Sequence, residues 1–434
     1  MAEAASICSS PVRSLRGELR VPGDKSISHR ALMLAAVARG DSEIVNFLES
    51  ADCLATLAAL RALGADIKRT GEGRVAVRGG GLRACAQPLD LGNSGTAMRL
   101  LAGLLAGQGV AGELRGDESL SRRPMRRIVE PLRAMGADIS AAPGGTPPLR
   151  IHAAGPLRGI RRELPVASAQ VKSCLLLAAL GADGATTVTE PSPSRDHTER
   201  MLPLFGCPVS RGGGAVSVEG GARLRGARIE APADISSAAF FIVAASIAAD
   251  ADLTLTGVGV NPTRTGVIDI LRRMGADIEI SGEHTLGNEP AADVRVRSAR
   301  LRGVEIGPQW VARAIDEWPV LFIAAACADG VTRVRGAAEL RAKESDRIAA
   351  MARGLRACGI AVETFDDGLA VEGGRLRGAD VEAFGDHRIA MAFAVAGAAA
   401  DGDVRIAGCA NIATSFPGFA AAAAQAGLNL DTAR

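Results

Sequence analysis

Hydroxyl, amide and cationic side chains stand at the starts of a series of strongly apolar segments. They are Lys25, Ser26 and Arg30; Asn93, Ser94, Gly95 and Thr96; Ser168, Ala169, Gln170 and Lys172; Asp316 and Glu317; and Asp386, His387 and Arg388. If the apolar segments are helices, their first turns expose unpaired N–H groups and the positive end of the helix dipole, which together attract anions. Basic side chains placed there oppose the dipole and call for a compensating negative charge. One such residue is unremarkable. Repetition at equivalent positions predicts that the termini gather a polyanionic ligand. Three further cationic stretches, SLSRRPMRR (119–127), SPSRDHTER (192–200) and RAKESDRI (341–348), lie outside the repeated phrases described below. Taken singly, each reads as a solvated face or an i,i+4 ion pair. Combined with Pro and Gly turns they favour clamps for phosphate or carboxylate, which a guanidinium grips with two parallel bonds.

Other chemistries find no support. VPGDKSIS lacks the leading glycine of a GxxxxGK[ST] phosphate loop, and GVGVNP (257–262) lacks the third glycine of a dinucleotide fingerprint. The five histidines form no HExxH and no Cys/His pairs at zinc spacing, and no GxSxG elbow occurs, so neither a metal nor another cofactor is expected. Fifty basic residues against 48 acidic ones leave a formal charge of +2, too little to hold the chain on nucleic acid or an anionic membrane. Only 3% of residues are aromatic and none is Tyr, which also removes stacking platforms for single strands. The eight cysteines include no CxxC pair and read as reduced, mostly buried thiols. The N-terminus shows no apolar signal segment and no stretch spans a bilayer, so a cytoplasmic protein is expected.

The elements that must position these residues come from a repeat. LRALGADI (60–67), LRAMGADI (132–139) and LRRMGADI (271–278) are near-identical, and LPLFGCPV (202–209), LRACGIAV (355–362) and AAQAGLNL (423–430) follow the same pattern. Their glycines, 64, 136, 206, 275, 359 and 427, recur about every 70 residues and suit a left-handed position just past a helix end. Alternating segments such as VAVRGGGLRA (75–84), LRIHAAGPLRG (149–159) and LAVEGGRLRG (369–378) then read as a strand, a turn and an exit. Each copy also carries a helix that is apolar on nearly all faces and therefore central. Six units of this size make small α/β layers, three to a body, giving an α/β protein of two similar domains. The domains are placed at 22–233 and at 1–21 with 234–434, and VPGD (21–24) and APAD (231–234) serve as links. The balanced charge and two self-contained bodies favour a monomer.

At this point the residues resemble a family. GDKSISHRALMLAA, LGNSGTAMRLLAGLL, SRRPM, SAQVKSCLLLAAL, PSRDHTERML, IDEWPVL, KESDRI, GDHRIAMAFAV and IATSFPGF, in one order from residue 23 to 419, are similar to the EPSP synthase family. The resemblance implies transfer of the enolpyruvyl group of phosphoenolpyruvate to the 5-hydroxyl of shikimate 3-phosphate, on the route to aromatic amino acids. It implies two domains of three βαβαββ units, with buried central helices and the active site in the interdomain cleft. It assigns shikimate 3-phosphate to Lys25, Ser26, Arg30, Ser168, Ala169, Gln170, Arg195, Asp316 and Lys343. Phosphoenolpyruvate falls to Lys25, Gly95, Arg123, Gln170, Arg347 and Arg388, with His387 among the catalytic group. Asp316 would take the proton of the 5-hydroxyl, and Glu344 would give and retrieve the methylene proton, with Lys25 as electrostatic partner or proton donor. Alone, Asp316 reads as a helix cap and Glu344 as a structural ion pair.

Two positions depart from the family pattern. Ala169 stands where some members carry a second serine, and Thr414 where others carry a lysine, which puts one phosphoenolpyruvate contact in question. Gly95 is the small residue that in the family leaves room for glyphosate. The same fold also hosts UDP-N-acetylglucosamine enolpyruvyl transfer, but SLSRRPM offers no reactive cysteine for it.

Overall fold

The structure is a computed structural model that describes residues 6–433; residues 1–5, part of the segment assigned to the second domain, lie outside the described residues. The chain divides into two compact units. The N-terminal unit holds Gly23–Ala231 together with Thr285–Glu289. The C-terminal unit holds the described residues up to Pro22, then Pro232–His284, and the chain from Pro290 onward. Each unit has its own hydrophobic core.

Among the described residues, six four-stranded sheets account for the repeat, and all share one strand order. The second copy shows it: strand Leu89–Asp90, helix Gly95–Gln108, strand Gly112–Arg115, helix Arg126–Ala134, then strands Ile139–Ala142 and Thr146–Ile151. The first two strands run parallel across the apolar helix, and the last strand inserts antiparallel beside the second. A parallel pair needs such a crossover, which is why the most apolar helix of each copy ends up against the core face of its sheet. The six aligned glycines all adopt positive φ, from 81° at Gly359 to 97° at Gly136 and Gly275, and turn each amphipathic helix into its strand. In the third copy Pro203 shortens that helix to His197–Met201 followed by a 3-10 turn at Leu202–Phe205.

Two sheets are completed by distant chain. Arg228–Glu230 pairs with Gly40–Val45 and closes the first sheet, while Ser6–Ser10 pairs with Val404–Ala407 and Asn429–Ala433 and closes the last. Ser14–Leu19 pairs with Asp250–Gly259 as the first strand of the fourth copy.

Three boundary assignments are corrected. Pro22 accepts from the Asp234 N–H at 2.9 Å, and Ala233 exchanges backbone bonds with Gly257 and Gly259, so Pro22, Pro232 and Ala233 lie with the C-terminal unit. Thr285–Glu289, the tip of the hairpin formed by Asp277–Leu286 and Glu289–Arg297, lies with the N-terminal unit instead. Its anchor is the buried His197–Glu289 pair at 2.7 Å, flanked by reciprocal bonds between Arg200 and Asn288. That pairing is between side chains far apart in the chain and leaves no local signal.

The central helices of the N-terminal unit are Lys25–Val37, Gly95–Gln108 and Ala169–Ala179. The last two meet backbone to backbone: a Cβ on Gly103 would lie 2.1 Å from the Cys174 carbonyl oxygen, and one on Gly107 2.5 Å from that of Ala178. This closeness sets the separation of their starts. In the C-terminal unit the central helices are Ile235–Ile247, Trp318–Ala326 and His387–Ala399. No helix among the described residues is long and apolar enough to cross a membrane.

Candidate active site

In each unit, side-chain bonds tie the three central-helix starts together. In the N-terminal unit, Gln170 Nε2 donates to Thr96 Oγ1 at 3.0 Å, joining the second and third starts. Arg30 joins the first and third. It donates from Nη2 to Ser173 Oγ at 2.7 Å, from Nη1 to the Ser26 carbonyl at 2.9 Å, and from Nε to Thr198 Oγ1 at 2.8 Å. Burial lowers its pKa to about 10, with Glu199 and Asp24 working the other way, so it stays cationic at neutral pH. Ser26, Ser168, Ala169, Gln170 and Arg195 are half-buried nearby in the same unit. Lys25 pairs with Asp52 at 3.0 Å.

Gly95 follows the cap Ser94, whose hydroxyl accepts from Ala97 N–H. A Cβ there would sit 2.7 Å from Arg99 Nη1 and 3.2 Å from Arg123 Nη1, so two guanidiniums crowd the first turn. Arg123 donates to Asn93 Oδ1 at 2.5 Å and to Ser119 Oγ at 3.3 Å. Arg99 Nη1 donates to Gln170 Oε1 at 2.8 Å. Arg99 was not singled out from the sequence, although it lies one helical turn beyond Gly95 in GTAMR, a spacing that places it on the same face. The helix start capped by neutral Ser94 keeps its positive dipole end, and these cations add to it.

Lys172 corrects the reading of the helix starts. Its ammonium lies 2.6 Å from Glu190 and 2.9 Å from Glu199 in a cluster with almost no exposure. Burial would lower its pKa, yet the two carboxylates outweigh that and raise it. Its compensating anions belong to the protein.

In the C-terminal unit the centre is Arg347, 1% exposed. Its Nε lies 2.8 Å from Asp386 Oδ2, its Nη2 2.6 Å from Glu344 Oε2, and its Nη1 3.6 Å from Asp316 Oδ1. Burial alone would lower the guanidinium's pKa; Asp386, Glu344 and Asp316 together raise it. Asp386 caps the last central helix by accepting from Arg388 N–H, and also accepts from Ser345 Oγ at 3.0 Å. Burial opposes its charge, but Arg347 holds its pKa below the usual value. Arg388 Nη1 donates to the Asp316 carbonyl at 3.0 Å. The fourth start is tied to the fifth by Ser236 Oγ donating to Glu317. His387 is buried in the first turn of the last central helix. Lys343 pairs with Glu339 at 3.1 Å. Thr414 closes a turn by donating to the Asn411 carbonyl, and Asn411 Nδ2 donates to the Gly385 carbonyl beside Asp386.

Asp316 and Glu344 are thus two part-exposed carboxylates on one buried guanidinium, with a second arginine alongside. Such a pair can exchange protons with a bound molecule while the arginines hold its negative charge. The fold and these clusters define a repeat-built α/β protein whose charged and polar helix starts are tied together within each unit.

Comparison with known proteins narrows that class. The family model described as EPSP synthase (3-phosphoshikimate 1-carboxyvinyltransferase) matches residues 10–422. The 3-phosphoshikimate 1-carboxyvinyltransferase of Alkalilimnicola ehrlichii is 60% identical over 424 residues, covering 97% of this chain and 95% of that one. That of Methylococcus capsulatus is 56% identical and covers 97% of each. The solved EPSP synthase of Acinetobacter baumannii superposes with a TM-score of 0.88 at 48% identity, over 99% of this chain and 100% of that one. The chain belongs to the EPSP synthase family.

Proposed function

We propose that the chain transfers the enolpyruvyl group of phosphoenolpyruvate to the 5-hydroxyl of shikimate 3-phosphate and releases phosphate. Its family membership and the high identity of relatives named for this activity support the reaction. The observation that carries the chemistry is the pair Asp316 and Glu344 on Arg347.

In this reading Asp316 takes the proton as the 5-hydroxyl oxygen bonds to the substituted carbon of phosphoenolpyruvate, while Glu344 protonates its methylene carbon. Glu344 then takes that proton back as the phosphate bond breaks. Lys25, Ser26, Arg30, Ser168, Ala169, Gln170, Arg195 and Lys343 serve the acceptor, and Lys25, Gly95, Arg123, Gln170, Arg347 and Arg388 the donor. Arg99 joins the donor group through its bond to Gln170 and its place beside Gly95. Two phosphates and a carboxylate repel one another, and several guanidiniums offset that repulsion without a metal. The protein works in this reading as a cytoplasmic monomer on small molecules.

Phosphate release from phosphoenolpyruvate, measured with shikimate 3-phosphate, with UDP-N-acetylglucosamine and with neither, tests the reading. Release with the first alone is expected; release only with the second would replace the acceptor. Asp316→Ala is expected to lower turnover by about 10²-fold or more with the fold intact. Near-normal turnover would remove Asp316 from the base role.

A further inference from the structure

The start of the helix Ala169–Ala179 and the loop that carries Arg195 are distinct segments, and both are fastened to one side chain. Glu190 directly follows the strand Ala185–Thr189, and its backbone N–H donates to the Gly214 carbonyl at 3.2 Å. Its Oε1 accepts from the Ser168 backbone N–H at 3.0 Å and from the Ser194 hydroxyl at 2.6 Å. Its Oε2 accepts from Lys172 Nζ at 2.6 Å. Lys172 also donates to the Ser194 carbonyl at 3.4 Å, and it pairs with Glu199 on the short helix His197–Met201, next to the Thr198 that receives Arg30. Side-chain exposures of 4% for Lys172, 6% for Glu190 and 1% for Glu199 keep these charges away from solvent. A buried charge left without its partner is strongly unfavourable, so the cluster resists opening.

We propose that Glu190 and Lys172 are positioning residues for the phosphorylated acceptor, fixing the spacing between the Ser168–Gln170 turn, Arg195 and Arg30. This rests on the functional reading above. They act through those groups, because Glu190 spends Oε1 on Ser168 and on Ser194, the neighbour of Arg195, and Oε2 on Lys172. Small errors in such spacing weaken binding sharply.

The test is steady-state kinetics of Glu190→Gln and Ser194→Ala with each substrate varied, alongside urea unfolding. Glu190→Gln keeps the shape and removes the charge. It is expected to raise KM for shikimate 3-phosphate about tenfold, with a smaller change for phosphoenolpyruvate and kcat within about threefold. Ser194→Ala removes one hydrogen bond and is expected to raise the same KM about threefold, alongside a lower unfolding midpoint. A purely structural role would lower the midpoint and the active fraction and leave both KM values alone. An unchanged KM for shikimate 3-phosphate in Ser194→Ala and in any folded Glu190→Gln overturns the proposal, and if the latter does not fold, Ser194→Ala decides. A functional reading that fails is seen separately, as no phosphate release by the unaltered chain.

Discussion

Gly95→Ala separates the needs of the fold from those of the site. Gly95 is the first residue of a regular helix and does not have positive φ, so its backbone accepts alanine. Within a helix that change is worth roughly 0.5–1 kcal/mol in favour of alanine. The new Cβ would lie 2.7 Å from Arg99 Nη1 and 3.2 Å from Arg123 Nη1. Both are far ends of flexible side chains, so the guanidiniums retreat and the helix stays. Restoring an ordinary contact moves Arg99 Nη1 by about 0.7 Å or more. That displacement strains its 2.8 Å bond to Gln170 Oε1. A hydrogen bond to a charged group is worth about 1.5–3 kcal/mol, or roughly 10- to 150-fold in affinity. Phosphate release with phosphoenolpyruvate varied at saturating shikimate 3-phosphate is expected to show KM for phosphoenolpyruvate raised into that range. The urea midpoint is expected to hold or rise. A KM within twofold of the unaltered chain, in a variant as stable as it, would refute the placing of phosphoenolpyruvate beside Gly95.

Three other outcomes are expected. Glyphosate should inhibit competitively with phosphoenolpyruvate and less strongly in Gly95→Ala; an inhibition pattern independent of phosphoenolpyruvate would sink this. Asp386→Asn should lower stability by about 3–5 kcal/mol, because Arg347 loses a fully buried partner. Since Asp386 has a depressed pKa when folded, its contribution is present above the ordinary 3.8 and fades as pH falls below it; urea unfolding between pH 7 and 3 should show a shallower acid loss in the variant. Burial, with Lys25 and Arg30 nearby, pushes the His29 pKa well below 6.5, so the unfolded chain binds the extra proton first. Stability should therefore drop by up to about 1.4 kcal/mol per pH unit below that value, and His29→Gln should remove this slope. Equal slopes in the two proteins would show that His29 is not the group responsible.

The repeat was legible because its markers are local. A helix that must stop needs a glycine at its end, and a helix that must be buried is apolar all round, so both signals sit within a dozen residues. The six positive-φ glycines and six sheets of one order follow from them. What stayed hidden depends on chain that is far away. Arg228–Glu230 is only three residues long and carries too little pattern to announce that it completes the first sheet. The hairpin tip Thr285–Glu289 looks like any turn until Glu289 meets His197.

The same division governs the site. Similar helix starts mark where anions could be held, but whether a given start still seeks one depends on which carboxylates fold against it. Asp24, Asp234 and Asp386 cap their helices with negative charge and Glu190 reaches the Ser168 N–H, whereas Ser94 leaves its start positive. Lys172 is silenced by Glu190 and Glu199, 18 and 27 residues further along. Repetition therefore supplies six equivalent platforms, and long-range pairing divides the labour among them. The serine-capped start flanked by the hydrogen-bonded arginines Arg99 and Arg123 suits phosphate, while the aspartate-capped start that recruits Arg347 assembles carboxylates able to move protons.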